Sequence, residues 1–215
     1  MKRHTGNPQA PIWLIGDSEP KNQSDSLKEP LDPRHPARHN IWTPILLRLN
    51  SELYLRAGRN LDEDQVYVRN AVGSPGLKPA ETALEWCKNT RRAVSWFQKT
   101  LATESPVAVF TFGSFAFEFL RRASCCKDPR PFRWWTTERL GESFRTSVDD
   151  FDPSRVNVFP LLHVSIARRH YLSAHRSYTG RARGNYFNYV SKALSGLFME
   201  IPKRSAIWAK AGTRK

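Results

Sequence analysis

The sequence predicts an α/β fold with three layers, α/β/α, around a central, mainly parallel four-stranded sheet. Four short segments carry the apolar or alternating pattern of strands in a buried sheet: residues 11–16, 65–72, 106–113 and 156–163. Segments with helical spacing lie between and after them: residues 39–57, 79–101, 114–122 and 185–198. Alternation of the two patterns is typical of parallel strands joined by crossover helices.

The first half of the chain opens with the strand "PIWLIG", which stops at Gly16. Residues 17–38 are rich in Pro, Asp and Ser and predict a long loop, which in compact domains is usually functional or disordered. The helix over 39–57 has its start blurred by Pro44. The second strand, "QVYVRNAV", alternates and ends in the turn "GSPGLKP".

The second half continues with a predicted helix over 79–101, which has Pro79 in its first turn. "PVAVFTFG" is a continuous apolar run, typical of a fully buried strand. Residues 124–155 are irregular, with a possible strand at "PFRWWT". The last strand, "VNVFPLLH", leads into a basic, aromatic loop and then the closing helix.

The domain organisation is simple. The chain has 215 residues, 40% of them hydrophobic, which suits one domain over 1–215 with basic, flexible ends at 1–9 and 203–215. It has no apolar run of membrane-spanning length, and its three cysteines form no CxxC pair. We therefore expect a monomer that is not secreted, does not enter a membrane, and works in the cytoplasm, near the nucleoid, or in the nucleus.

Charge is the strongest global signal. The net charge is +14, and the segment from Arg121 to Lys215 holds 19 Lys/Arg against 7 Asp/Glu. Its basic residues are mostly Arg and are interleaved with aromatic ones, a pattern that favours a nucleic acid over a merely solvated or membrane-facing surface. A polyanionic partner is the prediction.

Polar residues follow each predicted strand, where ligands bind in sheets of this class. They are Asp17, Ser18 and Glu19 after the first strand, Asn70 in the second, Gly113 and Ser114 after the third, and His163 and Ser165 at the end of the fourth. "GDS" at residues 16–18 resembles the start of GDSL-type serine esterases. Such an enzyme needs a carboxylate to orient its histidine base, and no Asp lies three residues before His163, His170 or His175.

Five motifs, in order along residues 11–200, resemble those of the uracil-DNA glycosylase superfamily. "GDSEP" resembles its water-activating loop, GQDPY or GEAPG, and "VYVRNAV" resembles its strand ending in Asn. "KPAETALEWC" with "PVAVFTFGSFAFEFL" resembles a helix and strand–helix of its iron–sulfur branch. "VFPLLHVSIARR" resembles its "HPS" signature, and "GNYFNYVSKAL" its closing helix.

The resemblance implies roles for individual residues. Asp17 or Glu19 would stabilise the sugar cation and direct a water, and His163 would stabilise the departing base. Asn70 would read the edge of a flipped-out pyrimidine, with Gly16, Ser18 and His35 also lining the base pocket. The loop after His163 would enter the minor groove, with Ile166 or a neighbouring Arg filling the vacated stack. The DNA-binding set would be Ser165, Ile166, Arg168, Arg169, His170, Arg176, Arg181 and Arg183.

The sequence also departs from the family pattern. "GDSEP" has one extra residue, so the choice between Asp17 and Glu19 stays open, and "HVS" replaces "HPS". Of four cluster cysteines only Cys87 lies at a matching position, so we expect no iron–sulfur cluster, no other cofactor and no metal. Lys21 stands where a tyrosine excludes thymine's methyl group, which makes a bulkier pyrimidine plausible.

The expected function is a monofunctional DNA glycosylase acting on uracil or a modified pyrimidine, in DNA repair or in defence against modified foreign DNA. The alternative is a catalytically inactive nucleic-acid-binding module on the same fold. Structural roles compete at each residue, since Asp17, Glu19 and Asn70 are common turn residues and His163 could be a satisfied strand-end histidine.

Overall fold

A five-stranded sheet forms the centre of the computed structural model, which describes residues 4–18, 42–62, 65–125, 127–163, 166, 171–181, 185–203 and 205–209. The strands are β1 (His4–Thr5), β2 (Ile12–Ser18), β3 (Val66–Val72), β4 (Ala108–Phe112) and β5 (Asn157–Leu161). Their order is β1-β3-β2-β4-β5, with β1 antiparallel to β3 and the other pairs parallel. The mainly parallel α/β sheet is confirmed.

The predicted number of four strands is wrong, because β1 adds a fifth. His4 pairs with Arg69 and Thr5 with Val68 at the edge of the sheet. Two residues are too few to show a period in the sequence, so this strand carries no pattern of its own. It covers part of the β3 edge, which would otherwise present unpaired backbone groups.

Six α-helices in the described ranges cover both faces of the sheet. They are α1 (Thr43–Ala57), α2 (Lys88–Glu104), α3 (Ser114–Ala123), α4 (Thr137–Asp149), α5 (Tyr171–Thr179) and α6 (Tyr186–Met199). Alternate residues of β2 point to opposite faces: Ile12 and Leu14 pack in the core with α1, α4, α5 and α6, whereas Trp13 and Ile15 pack in the core with α2 and α3. The result is helices above and below one sheet.

The predicted helix over residues 79–101 begins nine residues too early. Residues 75–77 form a 3₁₀ turn, the chain stays irregular until Cys87, and α2 runs from Lys88 to Glu104. Trp86, only 3% exposed, packs its ring against Phe115 and Phe119 of α3. Burial of this large side chain over α3 overrides the local helical pattern.

Residues 124–155, predicted to be irregular, contain α4, and the possible strand at "PFRWWT" is instead a 3₁₀ turn over Phe132–Trp134. The Thr136 hydroxyl caps α4 by accepting a hydrogen bond from the Arg139 amide. Leu140 and Phe144, one turn apart, are buried. The cap and this spacing were visible in the sequence and were missed.

The segment predicted as a basic, aromatic loop contains α5. Its Tyr178 is fully buried and donates a hydrogen bond to the Pro160 carbonyl at 2.6 Å. A Cβ on Gly141 of α4 would lie 1.9 Å from the Tyr178 carbonyl oxygen, so only glycine permits this helix contact. The contact fixes α5 behind β5, the strand that leads to His163.

Candidate active site

The crevice of interest lies at the carboxyl ends of β2, β4 and β5. β2 connects onward to β3 on one side of it, whereas β4 connects to β5 on the other side. Loops that leave in opposite directions open a gap between the two strand ends, and ligands of open α/β sheets bind at such a switch point. Asp17 lies near the end of β2, and His163 lies two residues beyond β5.

Only one of the two carboxylate oxygens of Asp17 has a hydrogen-bond partner among the described residues. Its Oδ2 accepts a hydrogen bond from Lys78 Nζ at 2.6 Å, and the two side chains are 18% and 29% exposed. Its Oδ1 is buried and has no hydrogen-bond partner among the residues described. A buried carboxylate oxygen normally finds a donor. Asp17 therefore offers one acceptor position to a water or a ligand.

Lys78 was missed by the sequence reasoning. It follows the 3₁₀ turn over Pro75–Leu77, and its ammonium lies 5.4 Å from the ring centre of Phe115 and 5.1 Å from that of Phe132. Both aromatic faces attract a cation. Polar residues at or after the ends of strands are candidates for the site, which is why Asn70 of β3 was chosen. Lys78 meets the same criterion, because it lies in the loop that follows β3.

His163 lies within electrostatic reach of both Asp17 and Lys78. Burial lowers the pKa of His163 below its usual value; the Asp17 carboxylate raises this pKa and the Lys78 ammonium lowers it. Burial dominates, so the imidazole is neutral at neutral pH. A neutral imidazole carries one N–H group, and here it lies near the Asp17 charge.

Gly113 allows His163 to take this position. It follows β4 with φ of +93°, and its amide donates to the Leu161 carbonyl at 2.9 Å. A Cβ there would lie 2.9 Å from the Cβ of His163 and 3.4 Å from two of its ring carbons. Any side chain at residue 113 would strain the backbone and displace the imidazole.

Gly16 and Asn70 form a second pair at this edge. They are register partners in β2 and β3, and a Cβ on Gly16 would lie 2.4 Å from Asn70 Oδ1. The Asn70 amide thus lies against the bare backbone of Gly16. In the described part of the chain it makes no hydrogen bond, so its donors and acceptor are available to a ligand.

Ser18 is the last residue of β2, directly after Asp17, and it pairs with Val72 of β3. No hydrogen bond joins the Ser18 hydroxyl to a histidine in the ranges described. A serine nucleophile requires such a base, and the described residues supply none to Ser18.

Three residues of the predicted DNA-binding set are described. The Ile166 amide donates a hydrogen bond to the His163 carbonyl at 3.1 Å. The Ile166 side chain is partly buried and packs against the core that contains Ile12 and Leu14. Arg176 is exposed on α5, and the exposed Arg181 has its guanidinium 5.4 Å from the Tyr189 ring centre. Outside the described residues lie Glu19, His35, Ser165, Arg168, Arg169, His170 and Arg183.

Comparison with protein-family models and with proteins of curated function finds no match to this chain. Within the described ranges, no group of three His, Cys, Asp or Glu side chains is placed to hold a metal ion. No helix found there is long and apolar enough to cross a membrane. The crevice thus presents a carboxylate, an ammonium, a neutral imidazole and a free amide, groups suited to hydrolysis through charge stabilisation.

Proposed function

We propose that this chain is a DNA glycosylase that flips out a pyrimidine base and hydrolyses its N-glycosidic bond. The observation that best supports the proposal is the meeting of Asp17 and His163 at one crevice, from opposite ends of the chain. The motifs "GDSEP" and "VFPLLHVSIARR", which resemble those of the uracil-DNA glycosylase superfamily, contain these two residues. The three-layer arrangement around a parallel sheet fits the same family.

In the proposed reaction, the bond between the sugar C1′ and the base nitrogen breaks with positive charge on the sugar and negative charge on the base. The Asp17 carboxylate stabilises the sugar cation, and its Oδ1, which has no hydrogen-bond partner among the described residues, orients the water that attacks C1′. The neutral His163 donates a hydrogen bond to a carbonyl oxygen of the departing base, where negative charge develops. The products are a free base and an abasic site.

Base selection falls to Gly16 and Asn70 in this proposal. The free amide of Asn70 offers both a donor and an acceptor to the edge of a flipped-out pyrimidine. Gly16 adds no side chain, which leaves room beside the amide. We propose uracil or a modified pyrimidine as the target, in DNA repair or in defence against modified foreign DNA. The protein would act as a monomer in the cytoplasm or nucleus.

The test is base release from a panel of labelled oligonucleotides, single- and double-stranded. The panel carries uracil, 5-hydroxymethyluracil, thymine mispairs, and hydroxymethylated or glucosylated cytosine, and alkali cleavage reports abasic sites. Asp17→Asn, Glu19→Gln and His163→Ala proteins run alongside, with Asp152→Asn as a matched control because the Asp152 side chain is 47% exposed and lies before β5, at the opposite end of that strand from His163. Loss of cleavage in one carboxylate variant alone identifies the carboxylate that orients the water.

The alternative, a binding module without catalysis, draws on the Lys78 ion pair, which offsets the negative charge of Asp17. It predicts no abasic product on any substrate, and DNA affinity that is unchanged when Asp17 or His163 is replaced. The same panel, read with a binding assay, distinguishes the two functions.

A further inference from the structure

A basic groove runs along the outer face of α2. Its volume is about 400 Å³, and it is lined by Lys88, Arg91, Arg92, Ser95, Trp96 and Lys99. These residues recur every three or four positions, so they form one stripe along the helix. At 1.5 Å per residue the stripe is about 16 Å long. We refer to it as the α2 groove.

The four cations of the α2 groove are uncompensated. None of them makes an ion pair or a side-chain hydrogen bond within the described part of the chain. The neighbouring α3 is different, since its Arg121 and Arg122 both bind Glu118. The only acidic residue of α2 is Glu104, at its far end. Unpaired cations in a groove favour a polyanionic ligand.

Trp96 gives the α2 groove an aromatic surface. Its side chain is 43% exposed, although an indole of this size is usually mostly buried. The Arg69 guanidinium lies 3.9 Å from the indole centre, and the Phe97 ring contacts it edge-on at 5.2 Å. These contacts hold the indole in a fixed orientation. Exposed aromatic rings beside cations are the elements on which bases of single-stranded nucleic acids stack.

The α2 groove begins at the end of α2 that lies nearer to the candidate site and reaches toward the β1 edge of the sheet. At its first turn, the Thr90 hydroxyl donates to the Leu77 carbonyl at 2.5 Å, and Leu77 precedes Lys78, the partner of Asp17. At the other end, a second groove of about 290 Å³ shares Trp96 and Lys99 and continues past Arg69 and Glu104 to His4 and Pro8. The two grooves form one path.

We propose that the α2 groove binds a single-stranded stretch of DNA, with phosphates on its cations and a base stacked on Trp96. The inference extends the proposed function, because it gives the strand that carries the target base a path away from the crevice. A membrane surface fits less well, since Phe97 and Leu101 of α2 are buried in the core and cannot insert into lipid.

The experiment measures the affinity of the full chain for a fluorescent 20-nucleotide single strand without any target base, over a range of salt concentrations. The groove variants are Arg91→Glu with Arg92→Glu, and Trp96→Ala. The control is Arg56→Glu with Lys192→Glu, which makes the same change of net charge on exposed residues of α1 and α6, across the sheet. Thermal unfolding verifies that each variant is folded, and anionic phosphatidylserine vesicles are the competing ligand.

We expect the double groove variant to bind at least tenfold more weakly and to show a salt slope shallower by about 1.4, as loss of two phosphate contacts requires. Trp96→Ala should weaken binding about fivefold or more, and the control less than twofold. Equal losses in the groove and control variants overturn the proposal, as does loss of vesicle binding with DNA binding intact. If the protein releases bases but the groove variants bind DNA normally, the proposed function holds and the groove proposal is overturned. If the groove variants lose affinity but no base is released, the groove proposal holds and the proposed function is overturned.

Discussion

Two carboxylates of this protein, Glu118 and Asp17, lie in opposite situations. Glu118 is fully buried, and both of its oxygens are doubly occupied. Oε2 accepts from Arg121 at 2.6 Å and from the Trp135 indole at 2.8 Å. Oε1 accepts from the Arg122 guanidinium at 2.9 Å and from the Arg130 amide at 2.8 Å. All four of its acceptor positions are used, so this carboxylate holds α3 to residues 130–135 and has nothing left for a ligand.

Among the described residues, Asp17 has one ion-pair partner and one buried oxygen without a hydrogen bond, and its side chain is partly exposed at a crevice. Leaving a buried oxygen empty costs free energy, and natural proteins accept that cost mainly at functional sites. The comparison teaches that a carboxylate's unfilled acceptor positions, more than its burial, separate a structural role from a chemical one.

The largest expected effect is on activity at Asp17. Asp17→Asn keeps the shape but removes the charge, so base release should fall about 10²–10⁴-fold. The free energy of unfolding should change by less than about 1 kcal/mol, because the Lys78 pair is partly exposed to water. Single-turnover kinetics and urea unfolding measure the two quantities. A loss of stability as large as that expected for a buried ion pair would mean that Asp17 has a structural role like that of Glu118.

Glu118→Gln should give the reverse result. Removing this charge leaves two arginines, 22% and 14% exposed, without their partner, and the free energy of unfolding should fall by about 3–5 kcal/mol. Base release per folded molecule, measured well below the unfolding temperature, should be unchanged. Asp152→Asn, on the surface, is the control for stability. A stable Glu118→Gln protein would contradict the structural role.

A smaller effect is expected at Lys78. Lys78→Met keeps packing against Phe115 and Phe132 but removes a charge-assisted hydrogen bond, so base release should slow about tenfold. Because the ammonium lowers the pKa of His163, its removal should also raise that pKa. A pH–rate profile detects the shift, and Lys192→Met is the control. An unshifted profile would mean that Lys78 only fills space.

The smallest effect is the pH dependence that His163 imposes. Burial sets its folded pKa below the unfolded value of about 6.5, so the unfolded chain binds more protons in between. Stability should therefore be intact above pH 6.5 and decline as pH falls toward the folded pKa. Base release should be constant from about pH 7 to 8 and fall as the imidazole becomes protonated. The profile of His163→Gln should lack this step; a step that persists would belong to another group.

The sequence anticipated features that local pattern decides. The four parallel strands were found because continuous or alternating apolar runs mark them, and Asp17, Asn70 and His163 were selected because they lie at or near the ends of those runs. It did not anticipate features that depend on distant contacts. Lys78 is 61 positions away from its partner Asp17 in the sequence. Trp86 packs on α3, and α2 begins only after it, at Lys88. Helix α4 was not predicted either, although its N-cap residue and the spacing of its apolar residues can be seen in the sequence.

The strand order has a further consequence, for folding. Residue 12 pairs with residue 108, and residue 108 with residue 157, so the crevice exists only after segments from the whole chain have met. Pairings this distant along the sequence form late and slowly, because long loops must close first. A partly synthesised chain would hold Asp17 without His163 and, under the proposed function, could not release a base. The proposed chemistry would therefore begin only once the whole sheet has formed.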